Sequence, residues 1–285
     1  RAHQAGYALT PRQIFSSPTI RGQAAIATRV TGGTTGEEEQ GAVPLTPIQH
    51  WFFAQNQPDA HHWNQSIVLE LRTAPAPELI GRAIAAVMAA HGAFRLRFRR
   101  AADGRVTQSY AAVEAASPLP VHPGAELEKV ATALQASLDL EHGPLWRAAY
   151  FTDEAGGWPR LFLTIHHLAI DGVSWRILAG DLAQAWAQLA AGRPIALAAP
   201  SVSYGAWARS LVARAQSAEL RAELAHWRTL VAAAGGLPRD FPEEAGALDV
   251  EALEALSIEL DPAATTSLLR DPAAAYRLRP DELLL

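Results

Sequence analysis

The sequence predicts an α/β protein, built as a two-layer sandwich with a mixed sheet. Stretches with the period of a helix alternate along the chain with stretches that have the period of a strand. Several neighbouring strands are joined by short turns that contain Gly, which indicates hairpins among them. Hydrophobic residues make up 49% and charged residues 19% of the chain, which suits a protein with a sizeable buried core.

The bulk properties exclude several classes of function. A net charge of −5 argues against nucleic acid as the main partner, and a chain without Cys has neither disulfides nor thiolate chemistry. No apolar run is long enough to span a membrane, and the N-terminus lacks the order of charged, apolar and small residues that marks a secretion signal. We therefore expect a cytoplasmic protein that has no membrane partner.

The first part of the chain forms a separate region before the main domain. Thr10 and Pro11 suit the N-cap and the first position of a short helix, and the Ala-rich stretch 20–30 favours a second helix. Residues 1–30 are too few to make a core of their own. Gly, Thr and three consecutive Glu then predict a solvated linker over residues 31–42.

The main domain begins at Val43, and periodicity and turn signals predict its elements. Apolar residues recur every three or four positions over 77–91, which predicts a helix. Apolar and basic residues alternate over 94–99, which predicts a strand, and Asp103-Gly104 predicts the hairpin turn behind it. The further predictions are helices at 126–137, 173–191, 203–233 and 262–269, strands at 66–72, 105–110, 146–152, 160–166 and 257–260, and packed aromatic side chains at 51–53.

Two His and one Asp stand where a predicted strand passes into a predicted helix. The apolar run 161–165 favours a buried strand, and His166, His167, Asp171 and Gly172 follow it. Neighbouring residues of a strand point to opposite faces, so one His can face a site while the other joins the scaffold. Imidazole gains and loses a proton near neutral pH, which suits acid/base chemistry. Gly172 permits a sharp change of direction before the helix.

Several interpretations of this junction stay open. Asp171 can orient a His or form a buried ion pair with Arg95, and we favour the ion pair because a guanidinium can brace the turn with two hydrogen bonds. N–H groups of the helix that starts near Val173 can stabilise a negative oxygen. The alternatives are a metal site, which adjacent His make awkward, a nucleophile at Ser174 or Ser66 without a nucleophile elbow, and hydrogen-bonded core His.

Separated motifs give the chain a resemblance to a known family. The run His166-His167-x-x-x-Asp171-Gly172 resembles the HHxxxDG motif of the condensation-domain superfamily of nonribosomal peptide synthetases, whose lobes are chloramphenicol-acetyltransferase-like. Its continuation Val-Ser-Trp-Arg-Ile-Leu is similar to the epimerization-domain version rather than to the peptide-bond-forming one. The other similar segments are 47–52, 64–65, 91–98 (with Phe94 in place of the usual Leu), 143–145 and 275–276.

The resemblance implies a domain organisation. Residues 1–30, with Leu-x-Pro-Arg-x-x-Phe at 9–15, resemble the C-terminal helices of a peptidyl carrier domain, and 31–42 is the linker. Residues 43–285 then correspond to the N-terminal lobe of an epimerization domain, ending at the start of the second lobe. The implied partners are that carrier domain and the neighbouring synthetase modules. No cofactor is bound directly, because the substrate is carried on the phosphopantetheine of the carrier.

The resemblance also implies a reaction. The Cα stereocentre of a tethered aminoacyl or peptidyl thioester is converted from L to D through an enolate, with His167 as the catalytic acid/base. His166, Asp171, Gly172 and Arg95 are the supporting residues. A Glu of the second lobe supplies the other proton in this family, so we expect the chain alone to be inactive. The alternatives are a peptide-bond-forming condensation domain and a non-catalytic fragment that docks a carrier.

Overall fold

The computed structural model describes residues 7–9, 11–29, 40–113, 117–153, 156–200, 202–235, 256–276, 278, 279 and 282. The chain divides into two units, residues 1–235 and 236–285. Among the residues that the structure describes, none of the helices has the length and apolar character needed to cross a membrane.

Strands and helices alternate through the first unit, and the described part of the second unit includes the helix Pro262–Tyr276. The strands are β1 Tyr7–Ala8, β2 Thr28–Arg29, β3 Gly41–Val43, β4 Asn64–Glu70, β5 Leu96–Arg100, β6 Val106–Tyr110, β7 Val121–Pro123, β8 Trp146–Thr152 and β9 Arg160–His166. The α-helices are α1 Pro11–Ser16, α2 Ile20–Ile26, α3 Pro47–Ala54, α4 Pro77–Ala90, α5 Leu127–Ala136, α6 Ser174–Ala190, α7 Tyr204–Ala215, α8 Ala218–Ala233 and α9 Pro262–Tyr276.

A mixed sheet with the strand order β4-β9-β8-β7 forms the centre of the first unit. β7 runs parallel to β8, whereas the β8–β9 and β9–β4 pairs are antiparallel. A second sheet has the order β3-β6-β5 and is antiparallel throughout, and β1 pairs with β2. The predicted α/β class with a mixed sheet is confirmed.

The core lies mainly between the four-stranded sheet and two helices. α4 and α6 pack on one face, where Val87, Leu163 and Leu178 belong to one buried cluster. α5 covers part of the opposite face, where Leu134 packs against the buried Phe162. β9 therefore buries side chains on both faces, which explains why residues 161–165 are almost continuously apolar instead of alternating.

The start of α3 is held by a buried pair of amides. Gln49 is 1% exposed, its Oε1 accepts the N–H of Thr46 at 2.9 Å, and its amide lies 3.0 Å from that of Gln108 on β6. Phe52 is buried one turn later, whereas Trp51 is 61% exposed. The prediction of three packed aromatic side chains is therefore wrong for Trp51, because it lies on the outer face of α3.

The Gly143-Pro144-Leu145 motif serves to pack an arginine. Arg97 of β5 donates from Nε to the carbonyl oxygen of His142 at 3.0 Å. Gly143 has φ +79°, and a Cβ at this position would overlap the guanidinium of Arg97. Leu145 is fully buried. Only glycine satisfies both the positive φ and the close approach.

Several predicted boundaries change for identifiable reasons. Residues 92–95 form a 3-10 turn, so the strand predicted from 94 begins at Leu96. The helical region 203–233 is two helices, because Ser217 caps a new one by accepting the N–H of Leu220 at 3.2 Å. Residues 257–260 are exposed and do not form the predicted strand, whereas the helix after them extends to Tyr276. Residues 41 and 42 belong to β3 rather than to the linker, and linker positions 31–39 lie outside the described residues.

Candidate functional site

The end of β9 places His166 and His167 in opposite environments. β9 pairs with β4 so that Asn64 lies opposite His166 and Gln65 opposite Ile165. His166 is fully buried, whereas His167, the first residue after the strand, is exposed. The alternation of a strand thus separates the two imidazoles although they are adjacent in sequence.

The imidazole of His166 has fixed partners at both nitrogens. Nδ1 accepts the N–H of Leu168 at 3.1 Å, so Nε2 carries the hydrogen and donates it to the carbonyl oxygen of Ala60 at 2.8 Å. The ring of Phe52 packs edge-on at a centroid distance of 5.9 Å. Burial lowers the pKa of His166 to about 4, so the ring is neutral near pH 7. His166 is therefore part of the scaffold.

The imidazole of His167 is exposed, and hydrogen bonds orient it at both nitrogens. A carbonyl oxygen can only accept, so the 2.9 Å contact with Ile170 O places a hydrogen on Nδ1 of His167. The neutral ring then has its lone pair on Nε2, which lies 3.1 Å from Nε2 of Gln65. The indole N–H of Trp175 donates to Oε1 of that same Gln65 at 2.9 Å. The arrangement presents Nε2 as a proton acceptor.

Asp171 caps the first turn of α6. Its Oδ1 accepts the hydroxyl and the N–H of Ser174, both at 2.7 Å, and the N–H of Val173 at 3.1 Å. These hydrogen bonds, those from Ser174 first, lower the pKa of Asp171. Gly172 has no positive φ, and a Cβ there meets open space among the described residues. The predicted change of direction therefore does not require glycine.

The predicted ion pair between Asp171 and Arg95 is wrong. Arg95 donates from Nη1 to the carbonyl oxygen of Ala111 at 3.0 Å, and its guanidinium lies 5.4 Å from the ring centroid of Tyr110. Asp171 is exposed and is used by its own helix. The prediction placed Arg95 on the polar face of a strand, but Arg95 ends a 3-10 turn, where side chains do not alternate.

The N–H groups at the start of α6 are already bonded. Oδ1 of Asp171 takes those of Val173 and Ser174, and its carbonyl oxygen takes that of Trp175 at 3.1 Å. The prediction that these groups are open to a negative oxygen is therefore wrong for all three. Their dipoles still favour negative charge nearby, but Asp171 supplies that charge.

The other two chemical interpretations find little support in the geometry. Within the described ranges, no group of three or more His, Asp or Glu could hold a metal ion. The hydroxyl of Ser174 donates to Asp171, and that of Ser66 donates to Asn64 at 3.2 Å, so neither points its proton at His167. A nucleophile activated by an adjacent base requires such a contact.

Comparison with known proteins adds independent findings. The model of the Condensation domain family matches residues 39–285. The chain belongs to the condensation-domain family. Linear gramicidin synthase subunits B and C of Brevibacillus parabrevis are 39% and 38% identical to it over its whole length. The chain spans only 6% and 4% of those two relatives.

Solved structures of condensation-family domains have the same fold as this chain. The epimerization domain from the third module of tyrocidine synthetase B is 32% identical, with a TM-score of 0.69, over 86% of this chain and 57% of that one. The first condensation domain of the CDA synthetase is 25% identical, with a TM-score of 0.51, over 67% of this chain and 51% of that one. The chain thus spans somewhat more than half of each domain.

Two cavities of this condensation-family chain lie away from His167. One of about 460 Å³ lies between α4, α5 and the start of β8, with Met88, Leu134 and Ala148 in its walls. Another of about 590 Å³ lies beside Arg95 and Tyr110. His167 lines neither of them, and it stands instead on an open surface of the described residues.

Gln65 and Trp175 both contact the segment from His166 to Gly172, although the sequence-based predictions gave neither of them a role. Gln65 shares its face of β4 with Ile67 and Leu69, both of which pack against the core between the sheet and α4 and α6. A polar residue at an apolar position of the alternation was the signal for Gln65. The signal for Trp175 was its place in the Val-Ser-Trp-Arg-Ile-Leu continuation, since a half-buried Trp on a helix is otherwise ordinary packing.

Proposed function

We propose that the protein containing this chain epimerizes the Cα stereocentre of an aminoacyl or peptidyl thioester in nonribosomal peptide synthesis. The thioester is tethered to the phosphopantetheine of a carrier domain, and His167 is the residue that moves the proton. The observation that carries the proposal is the exposed imidazole of His167, with Nδ1–H fixed on Ile170 O and its Nε2 lone pair facing the Gln65 amide at 3.1 Å. The similarity to an epimerization domain, at a TM-score of 0.69, supports it.

The chemistry requires a base of this kind. A thioester carbonyl makes the neighbouring Cα–H acidic, and Nε2 of His167 accepts that proton while the electron pair moves to the carbonyl oxygen as an enolate. Return of a proton to the opposite face of Cα gives the D product. The bond from Nδ1 to Ile170 O stabilises the imidazolium formed in between and keeps its orientation.

The other participants come from beyond this lobe. Asp171 already occupies the N–H groups at the start of α6, so hydrogen bonds to the enolate oxygen come from other groups. The chain spans 57% of the similar epimerization domain, and we place the second proton carrier, a Glu, in the remaining part. The carrier domain supplies the substrate at high effective concentration, so a deep pocket for the free amino acid is unnecessary.

A peptide-bond-forming condensation domain is the second candidate. The first condensation domain of the CDA synthetase shares the fold, with 25% identity and a TM-score of 0.51. The Val-Ser-Trp-Arg-Ile-Leu continuation at 173–178 and the higher similarity to the epimerization domain favour the first candidate.

Product chirality separates the candidates. The protein that carries this chain with its whole domain is incubated with an L-aminoacyl carrier, and the released amino acid is analysed on a chiral column. A D/L mixture without a second carrier supports epimerization. Product formation only with a second, acceptor-loaded carrier supports condensation, and unchanged L substrate in both cases indicates a domain that only docks the carrier.

A further inference from the structure

A continuous line of hydrogen bonds connects α6, β4 and the catalytic motif. It runs from the indole of Trp175 to the carboxamide of Gln65, from there to the imidazole of His167, and on to the carbonyl oxygen of Ile170. The three bonds measure 2.9, 3.1 and 2.9 Å. The orientation of the His167 imidazole therefore depends on three parts of the fold, which are α6, β4 and the segment after β9.

The direction of each hydrogen bond in this line is forced. The indole of Trp175 can only donate, so it faces Oε1 of Gln65 and the NH₂ group of that amide faces His167. The carbonyl of Ile170 can only accept, so the single lone pair of the neutral ring receives the Gln65 N–H. One end of the line can only donate and the other end can only accept. The hydrogen bonds between them therefore have one possible direction while the imidazole of His167 is neutral.

We propose that Gln65 and Trp175 are positioning residues that hold the Nε2 lone pair of His167 and respond to its protonation. In the resting lobe the Gln65 N–H occupies the place that the substrate Cα–H takes. When Nε2 gains a proton it becomes a donor that faces the NH₂ group, so the amide rotates and offers Oε1 to the imidazolium. The indole N–H of Trp175 then loses its acceptor, and the proton on His167 changes the environment of α6.

Charged and titratable groups lie on the elements around His167. On the segment of His167, Asp171 carries a negative charge and His166 is buried and neutral near pH 7. His61 and His62 lie on the turn before β4, and Arg176 is on the first turn of α6. Gln65 of β4, which contacts the ring, and Trp175 of α6, which contacts Gln65, are both uncharged, so their response reports a hydrogen-bond change.

The first test uses nuclear magnetic resonance on the 285-residue chain, without substrate. The ring resonances of His167 and the indole N–H resonance of Trp175 are followed from about pH 5 to about pH 8. We expect the Trp175 resonance to shift in step with the His167 resonances, and to become independent of them in Gln65→Met. Trp227, whose indole bonds Glu223 at 3.1 Å on the exposed α8, is the internal control and stays unaffected by Gln65→Met.

The proposal would be overturned if the Trp175 resonance did not change with pH together with the His167 resonances in the unaltered chain. It would also be overturned if the two changed together to the same extent in Gln65→Met. This measurement does not depend on catalysis. If the whole protein fails to epimerize while the resonances move together, the proposed function is wrong and the coupling stands. If it epimerizes while Trp175 stays flat, the coupling is wrong and the function stands.

The second test measures turnover in the protein that carries the whole domain. We expect Gln65→Met and Trp175→Phe each to lower kcat by about tenfold, because each variant loses one hydrogen bond that helps to orient the base. KM should stay nearly constant. The double variant should be no slower than Gln65→Met, because Trp175 acts only through Gln65. Multiplied losses in the double variant, or losses confined to KM, would contradict a positioning role.

Discussion

Two histidines at the end of β9 have the same side chain but opposite environments. On one side, His166 is fully buried, bonded at both nitrogens and packed against Phe52. On the other, His167 is exposed, and its Nε2 lies 3.1 Å from the amide of Gln65. The two adjacent histidines differ because the end of the strand sends them to opposite sides, and our proposal assigns the rigid support to His166 and the base to His167.

Removal of the exposed imidazole is the largest expected effect. His167→Ala should lower the rate of epimerization by about 10²–10⁴-fold, since a positioned general base contributes that much. The assay is the chirality of product released from an L-aminoacyl carrier. His226→Ala on the exposed α8 is a matched control that should keep full activity. Full activity in His167→Ala would show that the proton moves through another group.

Removal of the buried imidazole should cost stability instead. His166→Ala leaves a cavity beside Phe52 and an unbonded carbonyl at Ala60, which together cost about 3 kcal/mol of the free energy of unfolding. Urea unfolding of the chain measures this loss. His167→Ala should change the same quantity by less than about 0.5 kcal/mol. Equal losses of unfolding free energy in the two variants would contradict the assignment of His166 to the scaffold and His167 to the base.

Acid should destabilise the protein through the same buried ring. The folded pKa of His166 is about 4 and its ordinary value is 6.5, so between these values the unfolded chain binds the proton and the folded chain does not. Stability present above about pH 6.5 is therefore lost as pH falls towards about 4, up to about 3 kcal/mol. Unfolding midpoints across this range should vary less in His166→Leu. If the unfolding midpoints of the unaltered chain and of His166→Leu changed equally with pH, another group would be responsible for the loss of stability in acid.

The smallest expected effect tests Asp171. Asp171→Ala should cost about 1 kcal/mol in urea unfolding, because it removes a helix cap, and Asp171→Asn should cost less, because its amide oxygen still caps Ser174. A buried ion pair with Arg95, as the sequence suggested, would instead cost about 3–5 kcal/mol when one partner is removed. A loss of that size in Asp171→Ala would contradict the helix-cap role and support the ion pair.

Local periodicity predicted much of the fold and part of the site. Strands β8 and β9 have the predicted bounds, Trp146–Thr152 and Arg160–His166, because apolar runs and a Gly turn define that hairpin. The opposite directions of His166 and His167 also follow from alternation. The orientation of Arg95 did not, because one 3-10 turn before β5 changes where its side chain points.

The partners of His167 depend on information that a single sequence does not carry. Gln65 reaches the ring through the register of β4 on β9, and Trp175 reaches Gln65 through the packing of α6 on the sheet. Both are properties of tertiary packing rather than of neighbouring residues. The motif could therefore be found from local sequence, whereas the hydrogen bonds from Gln65 to His167 and from Trp175 to Gln65 could not.

The spacing of the Trp175–Gln65 hydrogen bond has a consequence for engineered synthetases. The two residues are 110 positions apart, and His167 lies between them. A recombination point inside this interval joins Gln65 from one parent to Trp175 from another, and the amide then meets an indole for which its strand was not selected. Chimeric enzymes should inherit residues 65–175 as one block, with crossovers placed before β4 or after α6.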